Sequence, residues 1–184
     1  MSSSFHVEGS ETILSSYVFD VARRTVQGPS EVFTRDVVEH KGAVAILAID
    51  DQGRVGFIRQ YRATFDRIDW EIPAGTCDKS GEAVLETAKR ELLEELGVTA
   101  HSWTMLGSFM VSPGWTNQVM TIFEATDLKF AEREPEGPEE SLAEVVWLNK
   151  EDIYSTLSSD GPIDATVAIA LNRVFGSFLD NPVS

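Results

Sequence analysis

Between residues 12 and 40, apolar and polar positions alternate in two runs, TILSSYVFDVARRTV and EVFTRDVVEH, with the turn-forming QGPS between them. The pattern predicts two or three strands in a small antiparallel sheet of their own. GAVAILAI and RVGFIRQY follow on either side of DDQG, an acidic-glycine turn that suits a hairpin, and RIDWEI reads as a strand ending at Pro73 and Gly75. The period then changes. From about Ala83 to Leu96, the residues Leu85, Ala88, Leu92 and Leu96 share one stripe at helical spacing, and Gly97 is placed as the stop. Alternation resumes in SWTMLGSFMV and NQVMTIFEAT around the loop SPGWT, and LAEVVWLN is a later strand. Between the last two lies AEREPEGPEE, whose charge and prolines predict a mobile loop. DATVAIALNRVFGSF is apolar at helical spacing and opens on a good cap, Asp164. Strands outnumber helices without regular alternation, so the expected fold class is α/β (α+β), layered about a mixed sheet. Residues 1–41 are read as the N-terminal sheet subdomain and 42–184 as the main domain.

Composition narrows the function. The formal net charge of −15 opposes contact with nucleic acid or an anionic membrane, so neither is an expected partner. A phosphate-bearing small molecule could bind only where a few arginines or divalent cations reverse the local sign. The single cysteine, Cys77, leaves no internal disulfide and no multi-cysteine zinc site. No apolar run reaches the roughly 18 residues that cross a bilayer, and MSSSFHVEGSE lacks the features of a signal peptide. The expected location is the cytoplasm.

One octet is electrostatically out of place. RELLEELG puts Glu91, Glu94 and Glu95 near the carbonyl end of the predicted helix, where acids are disfavoured by roughly 0.3–1 kcal/mol each when exposed. At roughly 100° per residue, Glu95 lies about 40° to one side of Glu91 and Glu94 about 60° to the other. All three border the leucine stripe. Clustered carboxylates are what a hard ion such as Mg²⁺ takes as ligands, and a bound ion would offset the cost. A solvated acidic face is the competing reading of the same residues.

The surroundings of the octet favour the ion. Glu82, AVLETAK and RELLEELGV reproduce the second half of the box of the Nudix hydrolase family, which the chain resembles. The first half departs, since GTCDKSGE sets Gly75 one residue further from Glu82 than the box does, a lengthening that a loop tolerates. The resemblance implies an α/β/α sandwich and metal ligands at Glu91 and Glu95, with Glu94 in or near the coordination sphere and the Ala74 carbonyl completing it. Mg²⁺ is the implied ion and Mn²⁺ the alternative. Arg90 is expected to orient glutamates, and Glu82 to sit at the helix start.

RDVVEHKGAVAIL, RQYR with WEIPAG, and SPGWTNQ resemble the ADP-ribose pyrophosphatase branch of that family. The implied activity is metal-assisted hydrolysis of ADP-ribose to AMP and ribose 5-phosphate. The alternatives are another nucleoside diphosphate substrate (NADH, a nucleotide sugar, coenzyme A) or a non-catalytic ADP-ribose-binding module. Arg35 and Arg62 could supply forked bonds to phosphate. Glu71 could accept from ribose hydroxyls, Trp70 and Trp115 could contact adenine or ribose, and Pro113 and Gly114 could shape a loop beside the sugar. Gln118 stands where the family often has an acid. In this branch the catalytic base often comes from an acidic loop before a late strand, which makes Glu139 and Glu140 equal candidates beside Glu94 and Glu95. The branch is typically homodimeric through the N-terminal sheet, and residues 12–40 alone make a poor core.

Overall fold

The structure is a computed structural model that describes residues 4–159 and 161–176. Contacts divide it into two units, one running to Gly42 and including Phe109–Met120, the other comprising Ala43–Ser108 and the chain from Thr121 onward.

The first unit holds β1 (His6–Ser15), β2 (Asp20–Gln27) and β3 (Val32–Glu39), an antiparallel sheet in the order β1-β2-β3. The QGPS turn forms as expected, with the Gly28 N–H donating to the Glu31 carbonyl at 2.9 Å. The run before it is two strands, because Ser16 closes a second turn. Its N–H and hydroxyl both donate to the Phe19 carbonyl, at 2.9 and 2.7 Å, a local bond that serine readily makes. The loop from Ser112 to Thr116 belongs to the same unit, and the Val38 N–H donates to the Trp115 carbonyl at 2.8 Å.

The second unit builds the core. β4 (Ala43–Ala48) is buried at every residue, as a strand covered on both faces must be. Val44, Ile46 and Ala48 pack with Ala88, Leu92 and Leu96 of α1 (Val84–Leu96), so the leucine stripe meets the sheet where its spacing required. Each fully buried leucine of that stripe contributes about 1.5–3 kcal/mol. The alternate residues Ala45 and Leu47 are equally buried, and α4 (Ala165–Phe175) also packs on β4. Asp164 caps α4 by accepting from the N–H groups of Thr166 and Val167 at 2.8 and 3.0 Å. The last two residues of the apolar run predicted for this helix, 177 and 178, lie outside the described residues.

Around these elements, β5 (Val55–Arg62) and β6 (Arg67–Glu71) pair antiparallel, as do β5 and β10 (Glu144–Leu148). A separate sheet orders β7 (Ala74–Thr76), β4, β9 (Val119–Phe130) and β8 (Val98–Met110). The DDQG hairpin is therefore corrected. The turn exists, with the Asp50 carboxylate accepting from the N–H groups of Gln52 (3.0 Å) and Arg54 (2.8 Å), yet β4 and β5 share only an isolated bridge, Ile49 with Val55. Both edges of β4 are already taken by β7 and β9, so the chain leaves the turn into the other sheet.

Two helices were not anticipated. The charged stretch read as loop contains α2 (Pro138–Ser141), started by a proline at its first position and two glutamates in its first turn. α3 (Lys150–Ser158) buries only Ile153 and Leu157, four residues apart, too narrow a stripe to stand out in a polar segment. Among the described residues, no helix is long and apolar enough to cross a membrane.

Candidate active site

The acidic octet forms the C-terminal half of α1, and Gly97 ends it in the left-handed region at φ +67°, its N–H on the Leu93 carbonyl at 2.9 Å. Glu91, Glu94 and Glu95 are all buried. That removes the reading of RELLEELG as a solvated face. The last turn carries no basic residue, and the offset comes from one turn earlier. Arg90 Nη1 contacts Glu91 at 2.7 Å and Glu94 at 2.8 Å, while Nη2 lies 3.5 Å from Glu82, which also accepts from the Thr87 hydroxyl at 2.8 Å. The arginine thus orients three acids at once, the role expected of it. Burial opposes its charge, but Glu91, Glu82 and Glu94 outweigh that effect and raise its pKa.

Glu95 is where negative charge is least compensated, with no ion pair among the described residues, whereas Glu91 is paired with Arg90. Burial drives the Glu95 pKa well above the ordinary carboxylate value, opposed by a hydrogen bond from the Ala74 N–H at 2.8 Å and by the more distant charge of Arg62. Burial also lifts Glu91, to about 7, against the pull of Arg90. Gly75 follows Ala74 on β7, and a Cβ there would overlap the Glu91 carboxylate. The glycine holds open the space the carboxylate fills.

These observations fit a divalent cation. The donors are all oxygens, the Glu91 and Glu95 carboxylates are both buried, only Glu91 of the two has a direct arginine contact among the described residues, and they meet the backbone of β7 at Ala74 and Gly75. Glu91 and Glu94 share the same Arg90 nitrogen, and among the described residues no three acids, histidines or cysteines are gathered closely enough to hold an ion. Gly75→Ala is expected to displace Glu91 and weaken divalent-cation affinity by about 10–100-fold, read by calorimetric titration, with a smaller effect on folding. Unchanged affinity would detach Glu91 from the ion.

Arg62 and Glu71, expected on phosphate and ribose, are paired with each other across β5 and β6, with Nε to Oε1 at 2.6 Å and a second contact between Nη2 and Oε2. The pair raises the Arg62 pKa. Trp70 is half-buried, edge-on to Phe57 with centroids 6.2 Å apart, and the Arg59 guanidinium lies 5.0 Å over its ring. Of the two acids on α2, Glu139 is exposed, whereas Glu140 is half-buried and accepts from the Glu136 N–H at 2.7 Å. Burial raises the Glu140 pKa, opposed by the hydrogen bond from the Glu136 N–H and more weakly by Arg62, while the charges of Glu136 and Glu94 add to the shift. Glu140 therefore shares the field of the α1 glutamates.

The remaining expected residues lie in the first unit. Arg35, exposed on β3, donates to the Thr34 carbonyl at 2.8 Å and stacks over Phe33. Pro113, Gly114 and Trp115 form the exposed loop tied to Val38, and Ser112 before them has φ +52°. The Gln118 N–H donates to the Thr116 hydroxyl at 3.1 Å.

Comparison with known proteins gives one consistent family. The model described as NUDIX domain matches residues 39–168. The chain is 39% identical to an ADP-ribose pyrophosphatase of Mycobacterium tuberculosis over 144 residues, covering 78% of this chain and 70% of the relative. It is 36% identical to an ADP-ribose pyrophosphatase of Bacillus subtilis over 162 residues, covering 88% and 87%. A crystal structure of an ADP compounds hydrolase superposes with a TM-score of 0.77 at 26% identity, covering 92% of this chain and 91% of that one.

Proposed function

The chain belongs to the NUDIX domain family, and on that premise we propose that it is a divalent-metal-dependent hydrolase cleaving the pyrophosphate of ADP-ribose to AMP and ribose 5-phosphate. The observation that carries the chemistry is the pair of buried carboxylates, Glu91 and Glu95, set against Ala74 and Gly75. The choice of ADP-ribose is supported by likeness to the two pyrophosphatases over most of the chain.

Glu91, Glu95 and the Ala74 carbonyl would hold the ion, with Glu94 in or near the coordination sphere and Arg90 yielding its contacts to Glu91 and Glu94, and Mg²⁺ is preferred over Mn²⁺. When bound, the ion supplies charge neutralisation on the pyrophosphate and acidification of water. The chain's own residues supply the rest. Arg62 exchanges its fork on Glu71 for phosphate oxygens, the same planar donors serving either carboxylate or phosphate. That exchange frees Glu71 to accept from ribose hydroxyls beside Trp70. Glu140 takes the proton from the attacking water, a task suited to a carboxyl already lifted toward the working pH. On likeness to the pyrophosphatases alone, Arg35 is assigned to phosphate, Trp115 to adenine or ribose, and Pro113 and Gly114 to the loop beside the sugar.

A homodimer and a cytoplasmic location complete the reading. Val7, Ile13, Leu14 and Val32 of the sheet β1-β2-β3 and Val18 and Phe19 of the turn between β1 and β2 are exposed, apolar groups suited to a second copy of the chain. The test is a substrate panel at fixed Mg²⁺. ADP-ribose should give the highest kcat/KM, and faster turnover of NADH, a nucleotide sugar or coenzyme A would move the assignment to that compound.

A further inference from the structure

Arg133 lies between the end of α1 and the turn carrying Glu140. Its Nη1 donates to the Ala143 carbonyl at 3.1 Å and its Nη2 to the Glu140 carbonyl at 3.0 Å. Those carbonyls belong to the exit of α2, a single turn of helix that contributes no buried residue and has no side-chain cap. So short a helix does not hold itself together in water. At its other end Arg133 is seated against α1. The Ala131 N–H donates to the Gly97 carbonyl at 2.7 Å, and a Cβ on Gly97 would stand 2.8 Å from Arg133 Cγ. Gly97 is two residues past Glu95, so one side chain spans from the acidic end of α1 to the turn bearing Glu140.

The expense of this arrangement argues that it is selective. The chain carries 30 acidic residues, any of which would be a stronger partner for an arginine than a carbonyl. Arg133 instead spends both terminal nitrogens on backbone, and its buried Nε has no hydrogen-bond partner among the described residues. A buried donor left unsatisfied opposes folding. A fork across two carbonyls of one turn fixes that turn's orientation, which a hydrophobic contact of the same size would not.

We propose that Arg133 is a positioning residue, bracing the α2 turn on the end of α1 so that the Glu140 carboxylate is held toward the α1 glutamates. It rests on the assignment of Glu140 as the base.

The test is a double-variant cycle on kcat for ADP-ribose, with thermal melts of every protein. Arg133→Ala should lower kcat by about 10–100-fold, in the range of residues that orient a reacting group, with KM changed less than about threefold. In a Glu140→Gln background the same substitution should change kcat by less than about twofold, because the group it positions is gone. Arg133→Lys, which keeps the charge and one donor, should lose less, and it carries the cycle if the alanine variant does not fold. Multiplicative losses in the double variant, or a loss confined to KM, would overturn the bracing role while leaving Glu140 as the base. Full activity of Glu140→Gln alone would overturn the base assignment, and the bracing role with it.

Discussion

Glu95→Gln is expected to lower ADP-ribose hydrolysis by roughly a thousandfold while making the metal-free protein more stable at pH 8. The catalytic loss follows from the ion. Removing a charged ligand forfeits several kcal/mol of charge stabilisation in the transition state, and each 1.36 kcal/mol is about tenfold in rate. The stability gain follows from burial. Glu95 gives up its proton in the folded chain at a pH well above the value of about 4.3 that it has unfolded. Between those values the folded state binds more protons than the unfolded state, so stability falls as pH rises through the window. Glutamine is neutral throughout and keeps a carbonyl oxygen for the Ala74 N–H. Wild type and variant should therefore melt alike near pH 4 and separate toward pH 8, the variant higher. Saturating Mg²⁺ should reverse the order, since a ligand present at 100 times its Kd stabilises by about 2.7 kcal/mol and the variant binds it weakly. A variant with near-normal turnover would remove Glu95 from the ion, and one less stable at pH 8 without metal would contradict the burial-raised pKa of Glu95.

Glu140→Gln should lower kcat by about a hundredfold or more, within the range of 10²–10⁴ for general acid–base groups, and Glu139→Gln by less than about twofold. The two residues are adjacent, equally acidic and on the same short helix, so sequence treats them alike. The structure does not. Glu139 is exposed, whereas Glu140 is half-buried and interacts electrostatically with Glu91, Glu94, Glu95 and Arg62. A base must lie in the field of the proposed metal site, and of the two glutamates only Glu140 interacts with the α1 glutamates. Equal and small losses from both substitutions would mean that the proton goes elsewhere.

What could be read in advance was local. The stripe Leu85, Ala88, Leu92 and Leu96 with Gly97 behind it defined α1 because helical spacing and a left-handed stop are properties of one segment. Asp164 marked the start of α4 for the same reason. The acidic octet stood out because three carboxylates at the wrong helix end needed compensation, which Arg90 supplies to Glu91 and Glu94 and which an ion is proposed to complete. What could not be read depended on partners distant in sequence. β4 leaves β5 at DDQG because β7 and β9 already occupy its edges, which no turn residue records. Arg62 and Glu71 were assigned to different parts of a ligand, and their mutual fork appears only when β5 and β6 are paired. Gly75 read as a loop glycine, whereas its absent Cβ is the room for Glu91. Arg133 left no signal, since a lone arginine in AEREPEGPEE is indistinguishable from solvated charge.

Incubating the purified protein with ADP-ribose and Mg²⁺ in ¹⁸O-labelled water, with and without chelator, probes the proposed chemistry in one step. AMP and ribose 5-phosphate should appear in equal amounts, with a single ¹⁸O in the phosphate of one of them and no product once the metal is chelated. Intact ADP-ribose, or the same products at the same rate in chelator, would refute metal-dependent cleavage of its pyrophosphate by this chain.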